Sequence, residues 1–171
     1  MSRAFVKEDS DAPEAVIERP VSAAPNRVTE RGLEAIEDEL ARIEGQLPPP
    51  PETSSPESPE IQALRRDARY WSQRRATAQV EEAPADPQAA GFATRVTIRR
   101  DGREQVLDIV GEDEADPAHG RVAWTSPLAR ALDGAEPGDA IEFEAGGGMQ
   151  TVEVLKVEAI TDASPLDSTH R

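Results

Sequence analysis

Apolar residues recur along this chain at two different periods, and the change from one to the other divides it. Leu33, Ile36, Leu40, Ile43 and Leu47 follow one another at three- and four-residue steps, the spacing of one face of an α-helix. Thr29 stands ahead of them as an N-cap, so a helix of about five turns is predicted. The run Pro48–Pro51 ends it, because consecutive prolines lack N–H donors and bias the preceding residue away from helix. A second helix is predicted from Ser58-Pro59-Glu60, with serine as cap, proline at the first position and an acid in the first turn. Ile61, Leu64, Ala68, Trp71, Arg75 and Ala78 keep the helical step. Arg75 is the one polar intrusion, its stem along the seam and its head in water. Two such helices joined by one loop make an antiparallel hairpin, a short coiled coil with arms about 28 Å long.

Past residue 90 the period falls to two. Ala93–Arg100 and Arg103–Val110 alternate on either side of Asp101-Gly102, a strong hairpin signal. Arg121–Trp124 reads as a further strand, and Ser126-Pro127 opens a short helix to Leu132. Pro137-Gly138-Asp139 turns into a strand over 140–144, and Gly146-Gly147-Gly148 into a last one over about 150–160. The predicted fold is α+β: an N-terminal helical hairpin and a small antiparallel sheet with one short helix. The divisions are a disordered arm at 1–26, the hairpin at 27–80 with a proline-rich tip at 48–59, a linker at 81–90, the sheet domain at 91–160 and a polar tail at 161–171.

Charge narrows the partners. The chain carries 34 acidic against 19 basic side chains, a formal net charge of −15. Bulk binding to duplex DNA or an anionic membrane needs a basic footprint, so neither is expected. The acidity suits a meeting with a basic protein surface, and it also serves solubility. Within the hairpin the first helix is acidic (Glu34, Glu37, Asp38, Glu39, Glu44) and the second basic (Arg65, Arg66, Arg69, Arg74, Arg75), which predicts ion pairs across it. The absence of cysteine excludes disulfides, thiol nucleophiles and Cys-ligated metals. Two histidines, His119 and His170, cannot form a His cluster, and His119 reads as a loop residue. The stretch Gly111–Asp116 reads as a solvated acidic turn, with a Mg²⁺ site as the alternative. No window approaches a membrane span, and Met1–Asp9 is charged, so a cytoplasmic monomer is expected.

The sheet half also carries an ordered series of motifs. Gly91-Phe92-Ala93-Thr94-Arg95-Val96, Ile109-Val110-Gly111-Glu112-Asp113-Glu114-Ala115, Ser126-Pro127-Leu128-Ala129-Arg130-Ala131-Leu132, Gly138-Asp139 and Val152–Val157 together resemble the Gre family of bacterial transcript-cleavage factors. Val28–Leu33 resembles the start of that family's first coiled-coil helix. The resemblance implies an FKBP-like C-terminal domain that docks on RNA polymerase at the rim of its secondary channel, with the coiled coil pointing inward. It places Thr125, Ser126 and Pro127 in the docking surface. A cleavage-competent Gre factor also carries an Asp-x-x-Glu-Asn element at its tip, whose carboxylates help hold a Mg²⁺ of the polymerase. That element is absent here. Glu52, Glu57 and Glu60 are the candidate replacements, and otherwise they only solubilise a proline loop. No cofactor of the protein's own is implied; the metal would be the polymerase's Mg²⁺, if the tip reaches it.

Four readings follow: a polymerase-binding regulator of elongation that is not itself an enzyme, a full cleavage factor, a module similar to the regulator of nucleoside diphosphate kinase, which has a short coil, and a peptidyl-prolyl isomerase. The last needs an aromatic-lined pocket, for which this half offers Phe92, Trp124 and Phe143.

Overall fold

A computed structural model describes residues 18–50 and 57–161. Glu52, the first part of the arm and the tail from residue 162 lie outside the described residues. The chain opens with a two-residue strand, β1 (Arg27–Val28), followed by helix α1 (Glu30–Glu44). Helix α2 (Pro59–Thr77) returns to a second short strand, β2 (Gln79–Val80), which pairs with β1 in parallel. Both caps foreseen in the sequence are in place. Thr29 accepts from the Gly32 N–H at 3.0 Å and Ser58 from the Ile61 N–H at 3.4 Å. Ile36, Leu40 and Ile43 are buried on α1 where it packs on α2.

Two expectations for the hairpin are corrected. The helices are unequal, about 22 Å and about 28 Å at 1.5 Å per residue; α1 stops at Glu44, ahead of the prolines. Arg75 does not lie in the seam: it is exposed and pairs with Glu37 at 3.0 Å, while Arg74 is buried. After Trp71 a helix offers both the third and the fourth position to the same face, and the core takes the third. Arg75–Glu37 is also the one ion pair joining the acidic helix to the basic one among the described residues.

The sheet has five strands in the order β5-β4-β3-β7-β6. They are β3 (Thr94–Arg100), β4 (Arg103–Val110), β5 (Arg121–Ala123), β6 (Ala140–Ala145) and β7 (Gly148–Ala159). Asp101 and Gly102, with φ of 51° and 74°, make the tight turn between β3 and β4 that their residue types predict. A register shift between Thr97 and Ile98 on the β3–β7 ladder adds the local twist typical of a bulge.

The sheet is not wholly antiparallel. β5 runs parallel to β4, with Ile109 opposite Val122. The connection from Gly111 to Gly120, with its two 3₁₀ turns, carries the chain back far enough to re-enter in the same direction. Helix α3 (Pro127–Leu132) covers one face, and Leu132, Val96, Ile98, Val152 and Val154 at its centre are fully shielded from solvent.

Candidate docking surface and the clamp on the hairpin

Thr125, Ser126 and Pro127 form the turn between β5 and α3. The Ser126 Oγ accepts from the Ala129 N–H at 3.2 Å, and its own N–H donates to the Ala123 carbonyl at 2.9 Å. These two bonds fix the turn, and Pro127 stands exposed at the first helical position. The structure therefore brings the three residues together as one rigid corner. The Thr125 hydroxyl leads away from it, donating to Glu112 at 3.1 Å.

Glu112 belongs to the acidic turn, and here the reading as a solvated turn is corrected. The turn is the seat of the hairpin. Asp113, whose side chain is 6% exposed, accepts the Tyr70 hydroxyl at 2.6 Å on one oxygen and the Arg74 guanidinium on the other. Arg74, 1% exposed, also lies 3.5 Å from Glu112. Glu114 takes three donors from its surroundings. They are the Thr29 hydroxyl at 2.6 Å, the Thr29 N–H at 3.3 Å and the Gly111 N–H at 3.2 Å. Burial, then the bond to Asp113, pushes the Tyr70 phenol up to about 12. No group of three carboxylate, histidine or cysteine ligands poised for a metal occurs among the described residues.

Two glycines make this seat possible through close approach. A Cβ on Gly111 would stand 2.7 Å from the Arg27 carbonyl oxygen, and one on Gly32 would stand 2.4 Å from the Glu114 carboxylate. A second tie runs along the other side. Arg27 forks onto Glu81 at 2.5 and 2.6 Å while its guanidinium lies over Phe92 (4.4 Å) and Trp124 (5.1 Å). The bonded partner raises the Arg27 pKa and holds the Glu81 carboxyl below its usual range. A hollow of about 180 Å³ opens beside α3, lined by Phe92, Trp124, Ile109, Arg27, Arg130 and Asp133 among others. Its aromatic walls are thus shared with two arginines, and Phe143 is not among its lining.

At the tip, Glu57 is engaged. Arg65 Nε donates to both its oxygens at 2.8 and 2.9 Å, and the same guanidinium reaches the Pro48 carbonyl at 3.4 Å. Arg65 therefore staples the two ends of the proline loop. Glu60 sits in the first turn of α2, exposed. Its own backbone N–H and the Ser58 hydroxyl lower its pKa. His119 lies in an exposed turn beside Asp116, at 2.6 Å.

Residues 85–159 match the family model described as the C-terminal domain of transcription elongation factors GreA/GreB. The sheet domain is thus similar to the C-terminal domain of GreA/GreB factors. The transcription elongation factor GreB of Neisseria meningitidis serogroup A is 46% identical over 68 residues, covering 40% of this chain and 42% of its own length. GreA of Hyphomonas neptunium is 54% identical over 54 residues, covering 32% and 34%. The chain thus spans less than half the length of these curated relatives. Among solved structures, a GreA/GreB elongation factor from Nitrosomonas europaea overlaps 79% of the chain and 98% of its own, at 23% identity and a TM-score of 0.37. The Gre-type domain holds the whole ordered motif series, the acidic seat and the Ser126-Pro127 corner.

Proposed function

We propose that this chain is a Gre-type regulator that docks on bacterial RNA polymerase at its secondary channel and modulates elongation without stimulating transcript cleavage. The five-stranded sheet with α3 is, on this reading, an FKBP-like docking module, and Thr125, Ser126 and Pro127 form part of its contact. The observation that carries the reading is the corner itself. Pro127 is exposed on a turn held by backbone and side-chain bonds, as suits a contact presented by a rigid scaffold. The same corner is tied through Glu112 and Arg74 to the hairpin base.

Among the described residues, the two candidate tip carboxylates support the absence of cleavage. A carboxylate that assists a metal must be free to ligate and held in place. Glu57 is committed to Arg65, and Glu60 is committed to the start of α2. The hairpin would then act by filling space. Labelled protein should bind core RNA polymerase, and an authentic GreA should compete for the site. Replacing Pro127 with alanine and Thr125 with arginine should weaken that binding. The bound protein should leave cleavage in stalled complexes at its basal rate. Failure of the folded protein to bind would overturn the docking, and stimulated cleavage would overturn the role given to the tip.

A further inference from the structure

Ahead of β1, residues 18–26 form a strap beside α2 that is fastened at both ends. At the outer end Glu18 pairs with Arg69, and the Arg19 guanidinium lies 3.8 Å from the Tyr70 ring centre and 5.2 Å from that of Trp71. At the inner end the Asn26 side chain donates to the Arg74 carbonyl at 2.7 Å and the Thr77 hydroxyl at 3.2 Å. The eight helical steps from Arg69 to Thr77 rise about 12 Å, whereas eight extended residues reach about 27 Å. The strap therefore carries slack. It is taken up in a bend at Ala23–Ala24, where the Ala24 N–H donates to the Ser22 hydroxyl at 3.2 Å. Among the described residues, no hydrogen bond joins 20–25 to either helix.

The two fastenings differ in strength. Asn26 is 4% exposed, while the Glu18 and Arg69 side chains are 63% and 55% exposed. An exposed ion pair contributes little and is screened by salt, and one guanidinium on an exposed aromatic face adds only modestly. The outer end therefore opens more readily than the inner one. Its contact is with a residue of the seat. Tyr70 has three partners: the Arg19 guanidinium over its face, the Trp71 ring at 86° with centres 5.1 Å apart, and Asp113, which accepts its hydroxyl. Asp113 also holds Arg74, whose carbonyl receives Asn26. The two ends of the strap thus rest on the two α2 residues that Asp113 grips. Arg19 is felt on α1 as well: the Arg42 hydrogen bond first, and then the charges of Arg42 and Arg19, hold the Glu39 carboxyl below its usual range.

We propose that residues 18–26 are a latch on the hairpin's seat: Arg19 on Tyr70 and Asn26 on Arg74 steady the two residues that Asp113 grips, and release of the outer end frees the hairpin to tilt. Arg19 is a positioning residue, acting on Asp113 through the Tyr70 ring. The inference stands apart from any docking on polymerase.

The test uses the full chain, whose lack of cysteine allows spin labels at Gln46→Cys and Glu144→Cys alone. Adding Arg19→Ala should widen the distance distribution between them at least twofold. Arg99→Ala, which removes an exposed arginine from the sheet, should leave the width unchanged. Titration of the Tyr70 phenol in the unlabelled chain separates a latch from a bystander charge. Burial, then Asp113, raises the phenol pKa, and the Arg19 charge opposes them. Loss of a bystander charge would therefore raise the midpoint. Loss of a latch lets water reach the ring and loosens the bond to Asp113, so Arg19→Ala should lower the midpoint from about 12 toward 10. An unchanged distance distribution, or a phenol midpoint that stays or rises, would each overturn the proposal.

Discussion

Tyr70 is the chain's single tyrosine, and its hydroxyl donates to Asp113 at the hairpin base. Its ionisation can therefore be followed alone. The folded pKa of about 12 exceeds the ordinary value of 10, so folding favours the protonated phenol. That contribution to stability is complete below pH 10 and disappears as pH rises from 10 to 12. Ultraviolet titration of the phenolate should give a midpoint near 12, and Asp113→Asn should bring it part of the way back. Gly111 makes a sterically sharper case. Gly111→Ala should destabilise by about 1–3 kcal/mol in urea unfolding, because the added methyl meets the Arg27 backbone. Gly148→Ala, with open space around it, is the control and should be near neutral. At this scale the sequence displayed Thr29 and Ser126 as caps because capping is a local bond. It hid Arg74, since the step after Trp71 admits two positions and only the tertiary partner Asp113 selects between them.

The elements were legible in proportion to how locally they are specified. The Asp101-Gly102 turn, α3 and the long strand β7 follow from turn chemistry, a Ser-Pro start and sustained alternation. β5 was legible as a strand at Arg121–Trp124, but its parallel direction was not, because that is set by the looping path from Gly111 to Gly120. The acidic seat is hidden for a related reason: the six charged or small residues of Gly111–Asp116 look solvated until the arginine that meets them is known. Helix α3 has only six residues, too few to stand without tertiary support. Leu132, fully buried, joins it to the sheet core. Leu132→Ala should cost about 2–5 kcal/mol, read as a fall in the unfolding midpoint. It should also loosen the Ser126-Pro127 corner, seen as faster amide exchange at Ala129 and Arg130.

Across the whole molecule, the two halves meet through side chains from both ends of the hairpin: Thr29 and Arg27 at its start, Tyr70 and Arg74 near its end. Removing one member of a buried ion pair leaves the other charge stranded, a loss of about 3–5 kcal/mol. Arg74→Ala should therefore destabilise on that order and free the hairpin to reorient. Spin labels at Gln46→Cys and Glu144→Cys should show one narrow distance in the native chain and a broad distribution in the variant. An unchanged distribution would mean that the Glu114 and Arg27 ties suffice.

The hairpin is a lever whose pivot is small. β1 and β2 contribute two residues each, and the acidic seat lies beside them, while α2 extends about 28 Å from that point. A tilt of about 20° at the pivot sweeps the far end through about 10 Å. Small changes in how three carboxylates grip one arginine, one tyrosine and one threonine are thus magnified into the aim of the proline tip.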